Sequence, residues 1–307
     1  MTRYAPVLVL LLGGAAWGAT QPLAKIAVSE GYRHFGILFW QLSIGAAVLG
    51  AVCALRHMPL RWERRDIRLY VLVALIGSVL PGMASYSAAV HLPAGVLSIL
   101  LSSVPMLAFP VALAMGHETF RWRRLAGLSL GFFGICLLVL PEASLPENVA
   151  VFWVFIALLA SLCYALEGNT VAALGTGGLD PVQVLCGASL IGAAVTLPLS
   201  LATGQFINPT QGWGAPDTAI VASSLLHAAA YTAYVWMVGR AGPVFAVQIS
   251  YLVTLFGVIW AMAFLGESYS PYFWAALVVM LTGVALVQPR PKAALVPPAQ
   301  PGHTETP

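Results

Sequence analysis

Trp17-Gly18-Ala19-Thr20-Gln21-Pro22-Leu23-Ala24-Lys25 lies inside the first long apolar run of the chain, from Ala5 to Val28. A run of that length crosses a bilayer as a helix, which takes about 20 residues. Yet it carries an aromatic, an amide, a helix-breaking proline and a cation. At a rise of roughly 1.5 Å per residue, Trp17 lies about 18 Å from Ala5, near the middle of a hydrocarbon core roughly 30 Å thick. Tryptophans of the interfacial belts sit at the edges instead. The stretch therefore reads as a spanning helix with a working site part-way along it.

The composition agrees. Of 307 residues, 60% are hydrophobic and 8% are charged, against about 45–50% and about 25% in soluble domains. So few charges do not cover the surface of a water-soluble fold this long, and the chain reads as a polytopic, all-α membrane protein. Ten apolar segments follow one another, at about 5–28, 35–55, 67–90, 94–116, 123–141, 149–172, 181–204, 217–239, 243–266 and 271–288. Each is near the length of a spanning helix. The third and fourth are separated only by His91, Leu92 and Pro93. From residue 289 the sequence is rich in proline and polar residues, which predicts a disordered tail, 289–307.

Charge placement gives an orientation. With the N-terminus inside, twelve of the fourteen Lys and Arg residues fall on cytoplasmic segments, leaving Arg33 outside and Lys25 within a span. The positive-inside rule then puts both termini in the cytoplasm of a multi-pass inner-membrane protein. The same bias accounts for the net charge of +3 without any nucleic acid. The four cysteines, Cys53, Cys136, Cys163 and Cys186, all lie in apolar runs without disulfide or zinc spacing and read as small buried hydrophobes. Neither a metal nor a cofactor is expected.

A shift of 147 to 149 residues aligns the two halves. Glu118-Thr119 falls on Glu267-Ser268, Gly134 on Gly283, Tyr86 on Tyr234, and Trp17-Gly18 on Tyr164-Ala165. The shift equals five spans, an odd number, so the halves enter the membrane from opposite sides. This predicts two inverted five-helix repeats, 1–144 and 145–288, around a central cavity with its site near the midplane. In this frame Glu118 and Glu267 read as groups that cap or charge the start of the helix that follows each, beside Thr119 and Ser268.

These residues resemble the drug/metabolite transporter superfamily, and within it the ten-span EamA-type exporters. The resemblance covers about residues 5 to 288. It is carried by Trp17-Gly18 followed by Lys25, by Gly116-His117-Glu118-Thr119 with Gly127 and Gly134, and by Gly266-Glu267-Ser268 with Gly283. It implies export of small metabolites, often amino acids, and the aromatic amino-acid exporters are the members most similar to this chain. One departure stands in the second span, where Gln41 occupies a position at which many relatives carry arginine.

Polar and aromatic residues at mid-depth are the candidate substrate contacts, because an unpaired polar group in hydrocarbon costs several kcal/mol. Trp17 and Gln21 are spaced i, i+4 in the first span. His227, Tyr231 and Tyr234 are spaced i, i+4, i+7 in the eighth. Gln248, Tyr251 and Thr254 share a sector of the ninth, Tyr164 occupies the repeat position of Trp17, and Ser78 and Ser102 add hydroxyls in the third and fourth. Each also has an ordinary role in interhelical packing; as a set they suit a neutral or zwitterionic small molecule. Lys25 and Glu167 are charged but lie about 30 Å and about 27 Å from their span starts. They read either as snorkelling and vestibule charges or as gate charges, and Glu167 also as a proton acceptor. Histidine ordinarily titrates in the physiological range, which makes His227 a candidate for coupling to protons. Pro22, Pro81, Pro105 and Pro110 are candidate hinges for alternating access or static kinks. The alternatives are an exporter of lipophilic drugs or cations, which needs a membrane-buried carboxylate, and an embedded enzyme. Against an enzyme, Gly127-x-Ser129-x-Gly131 lies mid-helix rather than in the strand-turn-helix that a nucleophile elbow requires.

Overall fold

The computed structural model describes residues 4–139 and 151–287, apart from 211, 242 and 247. The expected repeat boundary at 144/145 and the expected tail from 289 lie outside the described residues. Regular structure among the described residues is entirely helical. Among the described residues seven segments are long and apolar enough to cross a membrane: Ala5–Ala27, His34–Leu55, Arg64–His91, Ala94–Ala114, Val151–Leu174, Pro181–Ala202 and Ala215–Ala241. Ile249–Leu265 and Pro271–Val287 are shorter apolar helices, and Trp122–Val139 lies between the fourth and sixth spans. Each of the ten expected segments is thus helical over most of its described residues.

The boundaries follow local chemistry. Asp180 caps the seventh span, its carboxylate accepting from the Val182 N–H at 2.8 Å while Gln183 Oε1 accepts from the Asp180 N–H at 2.9 Å, a reciprocal capping box. The short third-to-fourth connection is real: one helix ends at His91, and Pro93 precedes the next, which begins at Ala94. At the end of the ninth span Gly266 takes a left-handed conformation with φ +65°, which a residue with a Cβ adopts at a cost. Its N–H closes on Met262 O and that of Glu267 on Ala261 O, and the chain leaves with Glu267 aimed away from its own helix.

Three spans of the first half are interrupted, each in register with a proline. Proline at position i lacks an N–H and clashes with the carbonyl of i−4. The first helix of the first span ends at Gly18, four residues before Pro22, and a second runs from Thr20 to Ala27. The fourth span breaks after Leu101, four residues before Pro105, with a second helix from Val104 to Ala114. In the third, Gly77, four residues before Pro81, lies inside a single π-helical turn, Leu75–Val79, the wider geometry that accommodates a missing i→i−4 bond. Pro110 and Pro198 sit inside helices that continue through them. In the second half the sixth and eighth spans are continuous, and the ninth begins with a short helical piece, Pro243–Ala246, before Ile249–Leu265.

Close helix crossings are built on glycine. The fifth and tenth spans pack through Gly127 and Gly283, and a Cβ on either would come within 2.7 Å of the other's carbonyl oxygen. Gly18 abuts Val253, Phe256 and Gly257 of the ninth span, and Gly187 of the seventh receives the ring of Tyr70. The first span packs on the eighth and ninth, the sixth on the third and fourth, and the second on the seventh.

Odd-numbered spans end at one face of the bundle, called here the Lys25 face, and even-numbered spans at the other. The Lys25 face is closely tied. Tyr32 donates to Asp217 Oδ1 at 3.0 Å, Gln205 Oε1 accepts from the Phe35 N–H at 3.1 Å, and Trp40 donates to Ile207 O at 2.9 Å. His91 stacks on Trp153 at 3.9 Å between ring centroids. At the opposite face Arg61 bridges Asp66 and donates to Gly177 O at 2.8 Å, and Gln183 donates to Pro59 O at 2.7 Å, joining the second, third and seventh spans.

Candidate functional site

Trp17 ends the first half-helix, and its indole Nε1–H donates to His227 Nδ1 of the eighth span at 3.1 Å. The rings meet edge to face, 5.5 Å apart, and Tyr234 approaches Trp17 at 6.3 Å. Indole nitrogen only donates, so Nδ1 of His227 is unprotonated and the imidazole proton resides on Nε2. The pair thus fixes a neutral tautomer with Nε2–H as its remaining donor. Protonating Nδ1 breaks the bond to Trp17.

A second group adjoins this pair. Tyr231, one turn beyond His227, lies within electrostatic range of Tyr234 and of Glu167 in the sixth span. Glu167 is likewise within range of Tyr164, and Tyr164 of Tyr86. Tyr86 of the third span donates to Gln41 Oε1 of the second at 2.7 Å. Glu167 lies over Gly77 in the π-helical turn, where an added Cβ would stand 2.9 Å from its Cγ and 3.5 Å from Oε1. His227, Tyr164, Tyr231 and Glu167 are deep in the bundle, yet part of each side chain remains solvent-accessible. Five spans thus contribute five aromatic side chains, one imidazole, one amide and one carboxylate to this linked group.

The remaining sequence candidates are placed differently. Trp17 and Gln21 were expected to share one helix face, but the break at Ala19 interrupts that register, and the Gln21 amide meets only the neighbouring Thr20 hydroxyl, at 3.4 Å. Ser102 is 7% exposed and returns its hydroxyl to Ile99 O at 2.6 Å, capping the broken helix. Ser78 lies half-buried in the π-helical turn. Gln248 stands exposed at the N-cap of Ile249–Leu265, at the end of the span and not at mid-depth, and Tyr251 packs against the main core. Lys25 donates to the carbonyls of Ala89 at 2.7 Å and Val90 at 3.2 Å, where a cation favours the C-terminus of the third span's helix. Tyr86 and Gln41 join the group without being among the expected substrate contacts. Tyr86 had been legible as the repeat counterpart of Tyr234, and Gln41 as the departure from an arginine.

Glu267 departs from the expected role of serving the tenth span. Its Oε1 accepts from the Ala94 N–H at 2.8 Å and its Oε2 from the Gly95 N–H at 3.2 Å, so it caps the fourth span from the opposite half. The Tyr269 hydroxyl donates to the same carboxylate, and a Cβ on Gly95 would collide with that hydroxyl. Burial, and then the bond to Glu267, raise the Tyr269 phenol above its ordinary pKa. Glu118, its partner under the repeat, instead pairs with Arg124 at 2.8 Å. Among the described residues no three His, Cys, Asp or Glu side chains converge as a metal would require.

The model of the EamA-like transporter family matches residues 5–140 and again residues 151–288. The chain belongs to the EamA-like transporter family. It is therefore a multi-pass membrane transporter with the ten-helix fold of that family. Among curated proteins it is similar to a probable terminal-alkyne amino-acid exporter of Streptantibioticus cattleyicolor, 24% identical over 92% of this chain and 93% of that protein. It is also similar to the uncharacterized transporter YvbV of Bacillus subtilis, 26% identical over 95% of this chain and 93% of that protein. The uncharacterized inner membrane transporter YedA of Escherichia coli is 24% identical over 88% and 86%. A crystal structure at 20% identity superposes with a TM-score of 0.63 over 93% of this chain and 99% of that one, a likeness of fold.

Proposed function

We propose that this transporter exports amino acids or similar small metabolites, aromatic ones included, across the bacterial inner membrane by alternating access, with both termini cytoplasmic. The observation that carries the reading is the hydrogen-bonded Trp17–His227 pair with Tyr234, Tyr231, Tyr164 and Glu167 around it. Aromatic walls with a few fixed polar groups suit a small amphipathic solute. The relative named as a probable exporter of a terminal-alkyne amino acid supports the cargo class.

Alternating access is supported by the packing. The first span contacts the eighth and ninth as the sixth contacts the third and fourth, the pattern of two inverted repeats, 1–144 and 145–288. Glu267 locks the Lys25 face by capping the fourth span, while Glu118 is engaged with Arg124. On this reading the Lys25 face is the periplasmic one and is closed. Opening it releases Glu267, and Glu118 closes the cytoplasmic side on the ninth span. The breaks beside Pro22, Pro81 and Pro105 are the hinges. His227 is the candidate for proton coupling, because a proton on Nδ1 would break its bond to Trp17.

Purified protein in liposomes, loaded with single unlabelled amino acids, should accumulate the labelled form by counterflow. No counterflow with any of the twenty, in protein shown to be folded, sinks the reading. A second reading, export of lipophilic cations, is favoured by the unpaired Glu167 carboxylate, and tetraphenylphosphonium counterflow tests it.

A further inference from the structure

Among the described residues the buried and half-buried charged side chains, Glu167 apart, are engaged at helix ends. Asp66 is bridged by Arg61, Arg124 by Glu118, and Asp180 faces Arg56. Asp217 accepts from Tyr32 and from the Gly214 N–H. Lys25 rests on two carbonyls. Among the described residues Glu167 differs: it sits seven residues before the end of the continuous helix Val151–Leu174, with neither a hydrogen-bond donor nor a counter-cation. Its oxygens are not sealed off, for the buried unpartnered side-chain atoms are Asp66 Oδ2 and Tyr70 Oη. An ionised carboxylate withdrawn from bulk water and left unpaired is costly. Glu167 is therefore placed to pair with a cation that reaches it from solution.

The surroundings select the kind of cation. The phenol hydroxyls of Tyr164 and Tyr231 lie within electrostatic range of Glu167, and the indole of Trp17 adjoins the group through Tyr234. Aromatic faces hold ammonium groups by cation–π attraction. The narrow floor is Gly77, whose missing side chain leaves room for the carboxylate. Among the described residues this group offers a substrate carboxylate no free cation, only the neutral His227 Nε2–H. The second span presents Gln41, already accepting from Tyr86, and the Lys25 ammonium is committed to Ala89 and Val90.

We infer that Glu167, with Tyr164 and Tyr231, is an ammonium subsite, and that the transporter recognises its cargo through a primary amine and does not require the α-carboxylate. The substrate class then widens from amino acids to small primary amines with an apolar or aromatic body, including amino-acid amides and decarboxylated amines. This deepens the reading under Proposed function, on which it rests for the location of the site.

The test is inhibition of counterflow in proteoliposomes by five probes sharing one side chain: L-phenylalanine, L-phenylalaninamide, phenethylamine, N-acetyl-L-phenylalanine and 3-phenylpropionate. The labelled substrate is whichever of L-phenylalanine and phenethylamine is transported. The first three probes should compete within about tenfold of one another, and the last two should fail at a hundredfold higher concentration. Glu167→Gln, which needs no partner to fold, should raise the KM for the amine at least tenfold with an unchanged melting temperature, and Glu167→Asp should restore part of it. Competition by N-acetyl-L-phenylalanine equal to the parent, or an unchanged KM in Glu167→Gln, overturns the subsite. Transport of phenethylamine without any amino acid refutes the amino-acid reading and leaves the subsite standing; transport of neither refutes both.

Discussion

Replacing Glu267 by alanine removes the one carboxylate that ties the loop after the ninth span to the start of the fourth. Three bonds are lost, from the Ala94 N–H at 2.8 Å, from the Gly95 N–H at 3.2 Å and from the Tyr269 hydroxyl. A helix cap is worth about 0.5–2 kcal/mol and a hydrogen bond to a charged group about 1.5–3 kcal/mol. The three share one carboxylate and are not additive, so a combined loss of about 3 kcal/mol is a fair figure, or roughly a hundredfold in the opening of the Lys25 face at about 1.4 kcal/mol per tenfold. Hydrogen–deuterium exchange in detergent reads this directly, because amide exchange under fast reclosing scales with the open population. The segment 94–101 should exchange about a hundred times faster in Glu267→Ala, while Pro181–Ala202, remote from the contact, should not change. Tyr269→Phe, losing one bond of the three, should fall between. Exchange of 94–101 within about threefold of wild type would refute the clamp.

Trp17→Phe keeps an aromatic ring but leaves His227 Nδ1 without its donor; an unmet buried acceptor costs about 1–3 kcal/mol, and counterflow should fall about tenfold or more with normal membrane insertion. Gly283→Val forces a branched side chain to where a Cβ already stands 2.7 Å from Gly127 O, so overpacking should destabilise the protein by about 3 kcal/mol or more and lower its melting temperature. Pro105→Ala restores an N–H that can bond the Leu101 carbonyl; turnover should drop several-fold while the melting temperature holds or rises, and equal loss of both would contradict a hinge. Because burial and Glu267 raise the Tyr269 phenol from 10.0, the bond it donates is fully present below that value and is lost only as pH rises through the higher folded one. Protection of 94–101, corrected for intrinsic exchange, should therefore be flat from roughly pH 6 to 9 and fall at more alkaline pH.

The spans were legible because bilayer thickness and backbone hydrogen bonding leave few options. Helix breaks were legible too: proline acts on the carbonyl four residues before it, and the breaks at Gly18 and Leu101 and the π-helical turn around Gly77 obey that arithmetic. The same breaks limited the reading of the site. An i, i+4 argument joined Gln21 to Trp17, but it holds only for an unbroken helix. In the continuous eighth span the spacing of His227, Tyr231 and Tyr234 carried through to one electrostatically linked group. Glu267 shows a different limit. Its motif announces a helix cap, but which helix it caps depends on how the halves meet, and no local pattern records that Ala94 and Gly95 stand opposite. Gln41 was noticed as a missing cation, whereas its bond to Tyr86 required two spans to be packed together.

The account stands most directly on whether the Trp17–His227–Glu167 interior is the place where cargo binds. Isothermal titration of the purified protein with the amino acid or amine that gives counterflow, compared with Trp17→Phe and Glu167→Gln of equal melting temperature, measures this without the transport cycle. The account predicts one site per chain whose affinity falls at least tenfold in each variant. Wild-type affinity in both variants would contradict it.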